Sequence, residues 1–129
     1  MSEVMDCLII GGGPAGLTAA IYLGRFRRRV VVVDGGGSRA AWIDKSHNLP
    51  GFPGGMNGPA LLDRMREQAR LYGAALREGH VDALLRAGSG LFTVAERPTG
   101  AARPSTPARL FWRPAWSRTG RRCPTWRRR

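Results

Sequence analysis

Two kinds of apolar pattern follow one another in the first part of the chain. Residues 7–10 and 30–33 are continuous apolar runs of strand length, typical of parallel strands that are buried on both faces of a sheet. Residues 14–24 instead carry apolar and small side chains at helical spacing, with a proline at the first helical position. The predicted packing stripe of this helix consists of Leu17, Ala20, Ile21 and Gly24.

A second helix and further strands follow. Pro59 stands at a first helical position, and Gly73 is a stop signal after the predicted helix. The apolar positions of this helix are Leu62, Met65, Ala69 and Tyr72. Residues 74–95 alternate between apolar and polar positions, which predicts strands. The order strand, helix, strand, helix and then a β-meander predicts an α/β, Rossmann-like domain with a parallel sheet.

The segment between the second strand and the second helix breaks this regularity. Its central part, residues 47–55, contains two prolines and three glycines, which exclude a helix and predict a surface loop. We expect His47 in this loop and His80 in the later strands to be exposed side chains rather than acids or bases.

A glycine-rich turn joins the first strand to the first helix. Gly11 permits the tight turn, Gly13 lets the backbone approach a pyrophosphate, and Gly16 lets the helix pack near the strand. The helix from Pro14 directs free N–H groups and its positive dipole end toward the phosphates. Asp34 ends the second strand, where a carboxylate can accept both ribose hydroxyls. The arrangement predicts an adenine-dinucleotide site, and the alternative is a glycine-rich turn in an unrelated α/β protein.

Charge divides the chain into two parts. The 129 residues form one small domain at most, with a formal net charge of +12. Residues 1–95 account for +3 of this charge and residues 96–129 for +9. The second part also holds three of the four tryptophans and has no strand or helix period. The sequence therefore predicts a folded domain over residues 1–95 and a disordered basic tail over residues 96–129, with an RNA-binding arm as the alternative for the tail.

The cysteines and the N-terminus bear on the compartment. Cys7 and Cys123 are far apart, so the chain contains neither a C-x-x-C dithiol nor the spacing of a zinc site. The apolar residues 8–23 are interrupted by glycines and a proline, and the first residues lack a basic signal-peptide region. We expect a cytoplasmic protein without a metal site or a membrane span.

Four features together resemble bacterial thioredoxin reductase and its relatives. They are the glycine turn 11–16, Asp34, the loop Asn48-Leu49-Pro50-Gly51-Phe52-Pro53 and a helix containing Met65-Arg66-Glu67-Gln68. The resemblance covers about residues 5–95. It implies noncovalently bound FAD, electrons from NAD(P)H on a further domain, a thioredoxin-like or other acceptor, and the dimers common among relatives. An NAD site like that of simple dehydrogenases is the alternative, and the Asn48 loop argues against it.

The resemblance also implies cofactor contacts for individual residues. Asp34, where the family more often has Glu, would hold the adenosine ribose, and Asn48 would face the flavin side of FAD. Val81 would meet the adenine through its backbone. Asn48 has the alternative of a turn residue that bonds its own backbone. The pyrophosphate contacts fall on Gly11, Gly13, Pro14, Ala15 and Gly16. No residue is expected to act as a catalytic acid, base or nucleophile.

Two segments depart from the family pattern. Gly37-Ser38-Arg39-Ala40-Ala41 stands where the family has a Pro-Gly-Gly-Gln flavin loop, which indicates a branch whose acceptor need not be thioredoxin. The tail stands where a strand ending near Ala-Thr-Gly is expected. With codons rich in G and C and a one-base shift, residues 110–126 can yield a sequence beginning V-L-A-T-G. We therefore predict a change of reading frame near residues 95–97.

The predicted function is that of an FAD-dependent, NAD(P)H-linked oxidoreductase, of which this chain holds an incomplete FAD-binding domain. We expect weak or no retention of FAD and no turnover by these 129 residues. The alternative from another class is a non-enzymatic nucleotide-binding module with a basic tail that binds nucleic acid.

Overall fold

The computed structural model of the protein describes residues 4–86, 91–100 and 108–112. A short 3₁₀ turn spans Arg39–Trp42, in the segment between the strand that ends at Asp34 and the helix that begins at Gly58. The other elements are β1 (Val4–Met5), β2 (Cys7–Ile10), α1 (Pro14–Arg25), β3 (Val30–Asp34), α2 (Gly58–Leu71), β4 (Ala75–Arg86), β5 (Phe92–Pro98) and β6 (Ala108–Trp112). This succession confirms the predicted order of strand, helix, strand, helix and meander.

The described strands form one mixed sheet in the order β1-β6-β5-β4-β3-β2. Strands β2, β3 and β4 are parallel neighbours, and β4, β5 and β6 are antiparallel neighbours. The long β4 joins both arrangements, because Ala75–Glu78 pairs with β3 and Gly79–Arg86 pairs with β5. The sheet confirms the predicted Rossmann-like α/β class with a meander.

The core lies on both faces of β3. All four of its valines are at most 1% exposed. Val30 and Val32 pack with Ala20 and Ile21 of α1, whereas Val31 and Val33 pack with Met5 and Val94 on the opposite face. This alternation follows from the two-residue period of a strand, and it explains why the run contains no polar position. The four predicted packing positions of α1 are all buried.

The second helix also begins and ends where the sequence signals predict. The Asn57 side chain accepts a hydrogen bond from the Ala60 N–H at 2.7 Å, which caps the first turn. Gly73 has a φ of +83°, the left-handed conformation that ends helices. Leu62 and Ala69 are buried beneath the helix. On the surface of the helix, Arg66 forms ion pairs with Asp34 and Asp63.

The structure describes two parts of the predicted tail. Strand β5 continues to Pro98, beyond the expected boundary at residue 95, and residues 108–112 form β6 between β1 and β5. In these two parts the backbone is a β-strand, and the division at residue 95 into a folded domain and a disordered tail stays a prediction. Residues 101–107 and 113–129 lie outside the described residues, as do Cys123 and most of the predicted alternative reading frame.

Neither α1 nor α2 has the length and apolar content that crossing a bilayer requires, and the described residues contain no other α-helix.

Candidate functional site

The turn after β2 has the geometry that its glycines predict. Gly11 has a φ of +103°, and its N–H donates to the Val33 carbonyl at 2.8 Å, which ties the turn to the end of β3. A Cβ on Gly16 would collide with the Gly11 carbonyl oxygen and lie 3.1 Å from Ile9 Cγ2. Gly16 therefore allows the close approach of helix and strand, as predicted.

The first turn of α1 has N–H groups that no side chain caps. Gly13 occupies the N-cap position, and no side chain caps the helix there. Pro14 follows at the first helical position, where its missing N–H costs nothing. The remaining N–H groups of the first turn and the positive end of the helix dipole favour an anion at this position.

Gly12, which the sequence reasoning passed over, supports the carboxylate of Asp34. Gly12 is buried, and a Cβ placed on it would collide with Asp34 Oδ2 and lie 2.5 Å from Asp34 Cγ. The other oxygen, Oδ1, accepts a hydrogen bond from the Gly36 N–H at 3.1 Å. The unbroken run of three glycines was the only signal in the sequence that could have identified Gly12.

A cleft of about 520 Å³ opens beside this carboxylate at the carboxyl ends of β3 and of the parallel part of β4. In open parallel sheets this edge is where ligands bind. Its lining includes Gly12, Asp34, Gly36, Arg66, Glu78 and Thr99. The cleft thus brings together Gly12, the acidic end of β3, one face of α2 and the residue that follows β5. The lining does not include the residues predicted to bind a pyrophosphate, which are Gly11, Gly13, Pro14, Ala15 and Gly16.

Arg66 of α2 forms the side of this cleft and contacts two carboxylates. Its Nη2 lies 3.6 Å from Asp34 Oδ2, and its Nη1 donates to Asp63 Oδ1 at 2.9 Å. Arg66 and Asp34 are both largely covered, with side-chain exposures of 29% and 20%. The sequence analysis identified Arg66 only as part of the motif Met65-Arg66-Glu67-Gln68. Its contact with Asp34 was not predicted, because that contact depends on how α2 crosses the sheet.

The structure places Asn48 outside this cleft. The loop that contains Asn48 is closed at its base by two backbone hydrogen bonds between Ser46 and Met56, of 2.8 and 2.9 Å. Asn48 is exposed, and its Oδ1 accepts a hydrogen bond from the Ser46 hydroxyl at 2.5 Å. The assigned contact of Asn48 with the flavin side of a cofactor stays a prediction.

Val81 also lies away from the cleft lining. It pairs with Glu96 of β5, next to an irregularity in the ladder between Val81 and Ala83. Its side chain is half-buried and packs against the core cluster that contains Val31 and Val33. The assigned backbone contact of Val81 with adenine is untested by this arrangement and stays a prediction.

The two histidines are exposed, as predicted. The imidazole of His80 lies against the backbone at the end of β3, since a Cβ on Gly35 would lie 2.5 Å from His80 Cε1. His80 therefore limits the side chains that can follow Asp34.

Cys7 is a half-buried thiol in β2, and its surroundings do not activate it as a nucleophile. Burial raises the pKa of the thiol above its ordinary value of 9.0, and the negative charge of Asp6 raises this pKa further. A thiol with a raised pKa is protonated near neutral pH and is a poor nucleophile.

The chain is similar to known proteins of one family. The sequence model of the family described as pyridine nucleotide-disulphide oxidoreductase matches residues 5–69. A thioredoxin reductase of Mycolicibacterium smegmatis is 46% identical over 83 residues, which are 63% of this chain and 27% of that protein. The chain therefore spans about a quarter of that relative.

Solved structures show the same likeness. A thioredoxin reductase from Gloeobacter violaceus superposes with a TM-score of 0.68 and 36% identity, covering 72% of this chain and 30% of that one. A thioredoxin reductase from Streptococcus pyogenes superposes with a TM-score of 0.72 and 27% identity, covering 88% and 34%. In both superpositions the matched part contains about a third of the larger protein.

Proposed function

Because the chain belongs to the pyridine nucleotide-disulphide oxidoreductase family, we propose that it supplies the FAD-binding part of an oxidoreductase similar to thioredoxin reductase. In such an enzyme electrons pass from NAD(P)H through FAD to a disulfide or to another acceptor. These 129 residues span 27% of the relative from Mycolicibacterium smegmatis, so the proposal for the whole enzyme extends beyond this chain.

The observation that carries the proposal is the position of the Asp34 carboxylate. It is held against Gly12 at the mouth of the cleft, beside the uncapped first turn of α1. A dinucleotide needs a carboxylate for its ribose hydroxyls and a helix N-terminus for its pyrophosphate, on adjacent parallel strands. β2 and β3 are adjacent and parallel, and they deliver these two groups to the same edge.

The described residues fit FAD at its adenosine and pyrophosphate end. A Cβ on Gly12 or Gly16 would fill the space beside Asp34 or beside the turn, so both positions keep the cradle open. Asp34 would accept the ribose hydroxyls. The pyrophosphate would be bound by Gly11, Gly13, Pro14, Ala15 and Gly16. The contacts of Asn48 with the flavin side and of Val81 with adenine are supported by the family resemblance alone.

The chemistry belongs to the cofactor, and the side chains hold it in place. When bound, FAD supplies an isoalloxazine ring that accepts a hydride and passes electrons onward. Asp34 orients the adenosine by accepting hydrogen bonds, and the first turn of α1 compensates the charge of the pyrophosphate. We assign no acid, base or nucleophile among the described side chains.

The partners and the compartment follow from the family. We propose a cytoplasmic enzyme that binds NADPH or NADH, forms a homodimer, and reduces thioredoxin or another acceptor. The segment Gly37-Ser38-Arg39-Ala40-Ala41, in place of the family's flavin loop, indicates a branch whose acceptor need not be thioredoxin. Reduction assays of the complete enzyme with thioredoxin and with small disulfides separate these acceptors.

We also propose that the reading frame changes near residues 95–97. The support is the codon argument, which yields V-L-A-T-G from residues 110–114 after a one-base shift. Sequencing the gene from codon 85 to several hundred bases past the stop tests this. An alternative frame that continues into a second G-x-G-x-x-G is expected, and its absence would contradict the frame change.

The cofactor proposal is tested by titrating the full chain with FAD and with ADP. We expect weak, saturable binding of ADP and little retention of FAD, and loss of ADP binding in Asp34→Ala. The exposed Asp44→Ala serves as the matched control. A gene with the restored frame should give a yellow protein that NADPH reduces. Tight binding of single-stranded RNA by the unaltered chain, with no effect of Asp34→Ala, would instead support the nucleic-acid module.

A further inference from the structure

The guanidinium of Arg66 stands at the carboxylate that the proposed function assigns to the ribose. Arg66 Nη2 lies 3.6 Å from Asp34 Oδ2, while Oδ1 of the same carboxylate accepts the Gly36 N–H at 3.1 Å. Gly12 closes the third side, because no side-chain atom fits between its backbone and Asp34. The carboxylate is therefore in contact with protein on three sides, and Asp34 also lines the cleft.

Arg66 is itself held in place by a second contact. Its Nη1 donates to Asp63 Oδ1 at 2.9 Å, three residues earlier on α2. Such a pair at an i,i+3 spacing restricts the rotamers of a long side chain before any ligand arrives. The guanidinium is thus oriented by Asp63 through Nη1, and its Nη2 contacts Asp34.

We infer that Arg66 is a positioning residue that sets the orientation of the Asp34 carboxylate for the 2′- and 3′-hydroxyls of an unphosphorylated ribose. The inference rests on the proposed adenosine site. The distance of 3.6 Å marks an ion pair without a short hydrogen bond, so Asp34 Oδ2 retains lone pairs for a ribose hydroxyl. Without Arg66 the Asp34 carboxylate would rotate more freely, and its hydrogen bonds to the ribose hydroxyls would weaken. The site would then distinguish ribose from deoxyribose less well.

A purely structural role for Arg66 makes a different prediction. A partly exposed ion pair that only attaches α2 to the end of β3 would contribute at most about 1 kcal/mol to folding. Its removal would lower the melting temperature and would weaken the binding of ribose and deoxyribose nucleotides by the same factor. The ratio of the two affinities therefore distinguishes the roles.

The test measures the affinities of the full chain for ADP, 2′-deoxy-ADP and 3′-deoxy-ADP by ligand-detected NMR, which reads weak binding. The unaltered chain should prefer ADP by about tenfold, the value expected for a hydrogen bond to a charged acceptor. Arg66→Ala should reduce this preference to less than about threefold, and Arg66→Lys should restore part of it. Arg64→Ala is the matched control, because Arg64 lies on the same helix and stacks over Phe52 instead of lining the cleft.

A second arm places the same change in an Asp34→Asn background, which should still bind ADP measurably, and there Arg66→Ala should change the affinity ratio less than in the unaltered chain. A tenfold preference that survives in Arg66→Ala overturns the inference and leaves the adenosine site intact. Tighter binding of ADP by Arg66→Ala also overturns it, because Arg66 would then compete with the ribose. No saturable binding of ADP by the unaltered chain contradicts the proposed function and, with it, the inference.

Discussion

The two ends of the parallel strands carry the same pair of residue types, an aspartate and an arginine, in different settings. At the amino end, Asp6 Oδ2 accepts the Arg29 N–H at 2.8 Å and lies 3.8 Å from Arg29 Nε. This carboxylate joins the start of β2 to the segment before β3. At the carboxyl end, Asp34 meets Arg66 and Gly36 and also lines the cleft. One end therefore uses its aspartate to hold the chain together, and at the other end the aspartate lines the cleft that we propose binds the adenosine.

The glycines at the two ends show the same division. A Cβ on Gly24, near the end of α1, would lie 2.6 Å from the backbone oxygen of Tyr72, so this glycine lets α1 and the end of α2 pack. A Cβ on Gly12 would collide with the Asp34 carboxylate. Substitution at the amino end should change stability, and substitution at the carboxyl end should change binding.

The largest effect is expected for Gly24→Val. The added side chain must displace the backbone of Tyr72, which lies in the chain between Ala69 and Ala74, two buried residues of the cluster that contains Val30 and Val32. The free energy of unfolding should fall by about 2–3 kcal/mol, with a melting temperature lower by roughly 10 °C. Thermal unfolding followed by circular dichroism measures this, with Ala19→Val at an exposed position of α1 as the control. An unchanged melting temperature would show that the two helices do not need this close approach.

Gly12→Ala should affect the binding of ADP more than the stability of the fold. Its methyl group displaces the Asp34 carboxylate, so the affinity for ADP should fall by about thirtyfold, equivalent to about 2 kcal/mol. The free energy of unfolding should fall by about 1 kcal/mol, less than in Gly24→Val, because the methyl group meets the Asp34 carboxylate and Cβ rather than a backbone carbonyl. Gly37→Ala is the control, since a Cβ there meets nothing within 4 Å. Strong destabilisation with unaltered ADP affinity would remove the distinction between the two ends.

Replacing each of the two aspartates by asparagine compares the two ends directly. Asp34→Asn should weaken ADP binding by about tenfold and change stability little, because the amide keeps one acceptor oxygen but loses the charge. Asp6→Asn should lower the free energy of unfolding by about 1 kcal/mol and leave ADP affinity unaltered. Urea unfolding and ADP titration of both variants give the four values. The reverse pattern would mean that the ends have been assigned the wrong roles.

The smallest effect is a dependence of stability on alkaline pH at the amino end. Burial, and then the charge of Asp6, raise the pKa of Cys7 in the folded chain above 9.0. As the pH rises, the thiol ionises in the unfolded chain before it does in the folded chain. The contribution of the protonated Cys7 thiol to the free energy of unfolding is therefore complete below about pH 9 and is lost as the pH rises through the pKa of the folded chain. In a Cys123→Ser background, Cys7→Ala should flatten the decline of the free energy of unfolding above pH 9. Equal slopes with and without Cys7 would contradict this assignment.

The elements that the sequence predicted correctly are those whose pattern is complete within a few residues. The four valines of β3, the stripe of α1 and the glycine turn each need only their own neighbours to be recognised. The contacts of Gly12 and Arg66 with Asp34 could not be predicted in this way, because they depend on where the turn and α2 lie relative to the end of β3. Strand β1 has only two residues, too few for a period, and β6 lies in a segment without an alternating pattern.

The pairing of β1 with β6 has a consequence for the order in which the molecule folds. Val4 pairs with Phe111, whereas β2 and β3 pair across a single helix. Contacts between residues so far apart in the chain close slowly, and a two-residue ladder offers few hydrogen bonds to resist opening. We therefore expect β2, α1 and β3 to assemble early. The amides of β1 should exchange with solvent deuterium long before those of β3, so the first strand in the sequence is among the last to become fixed.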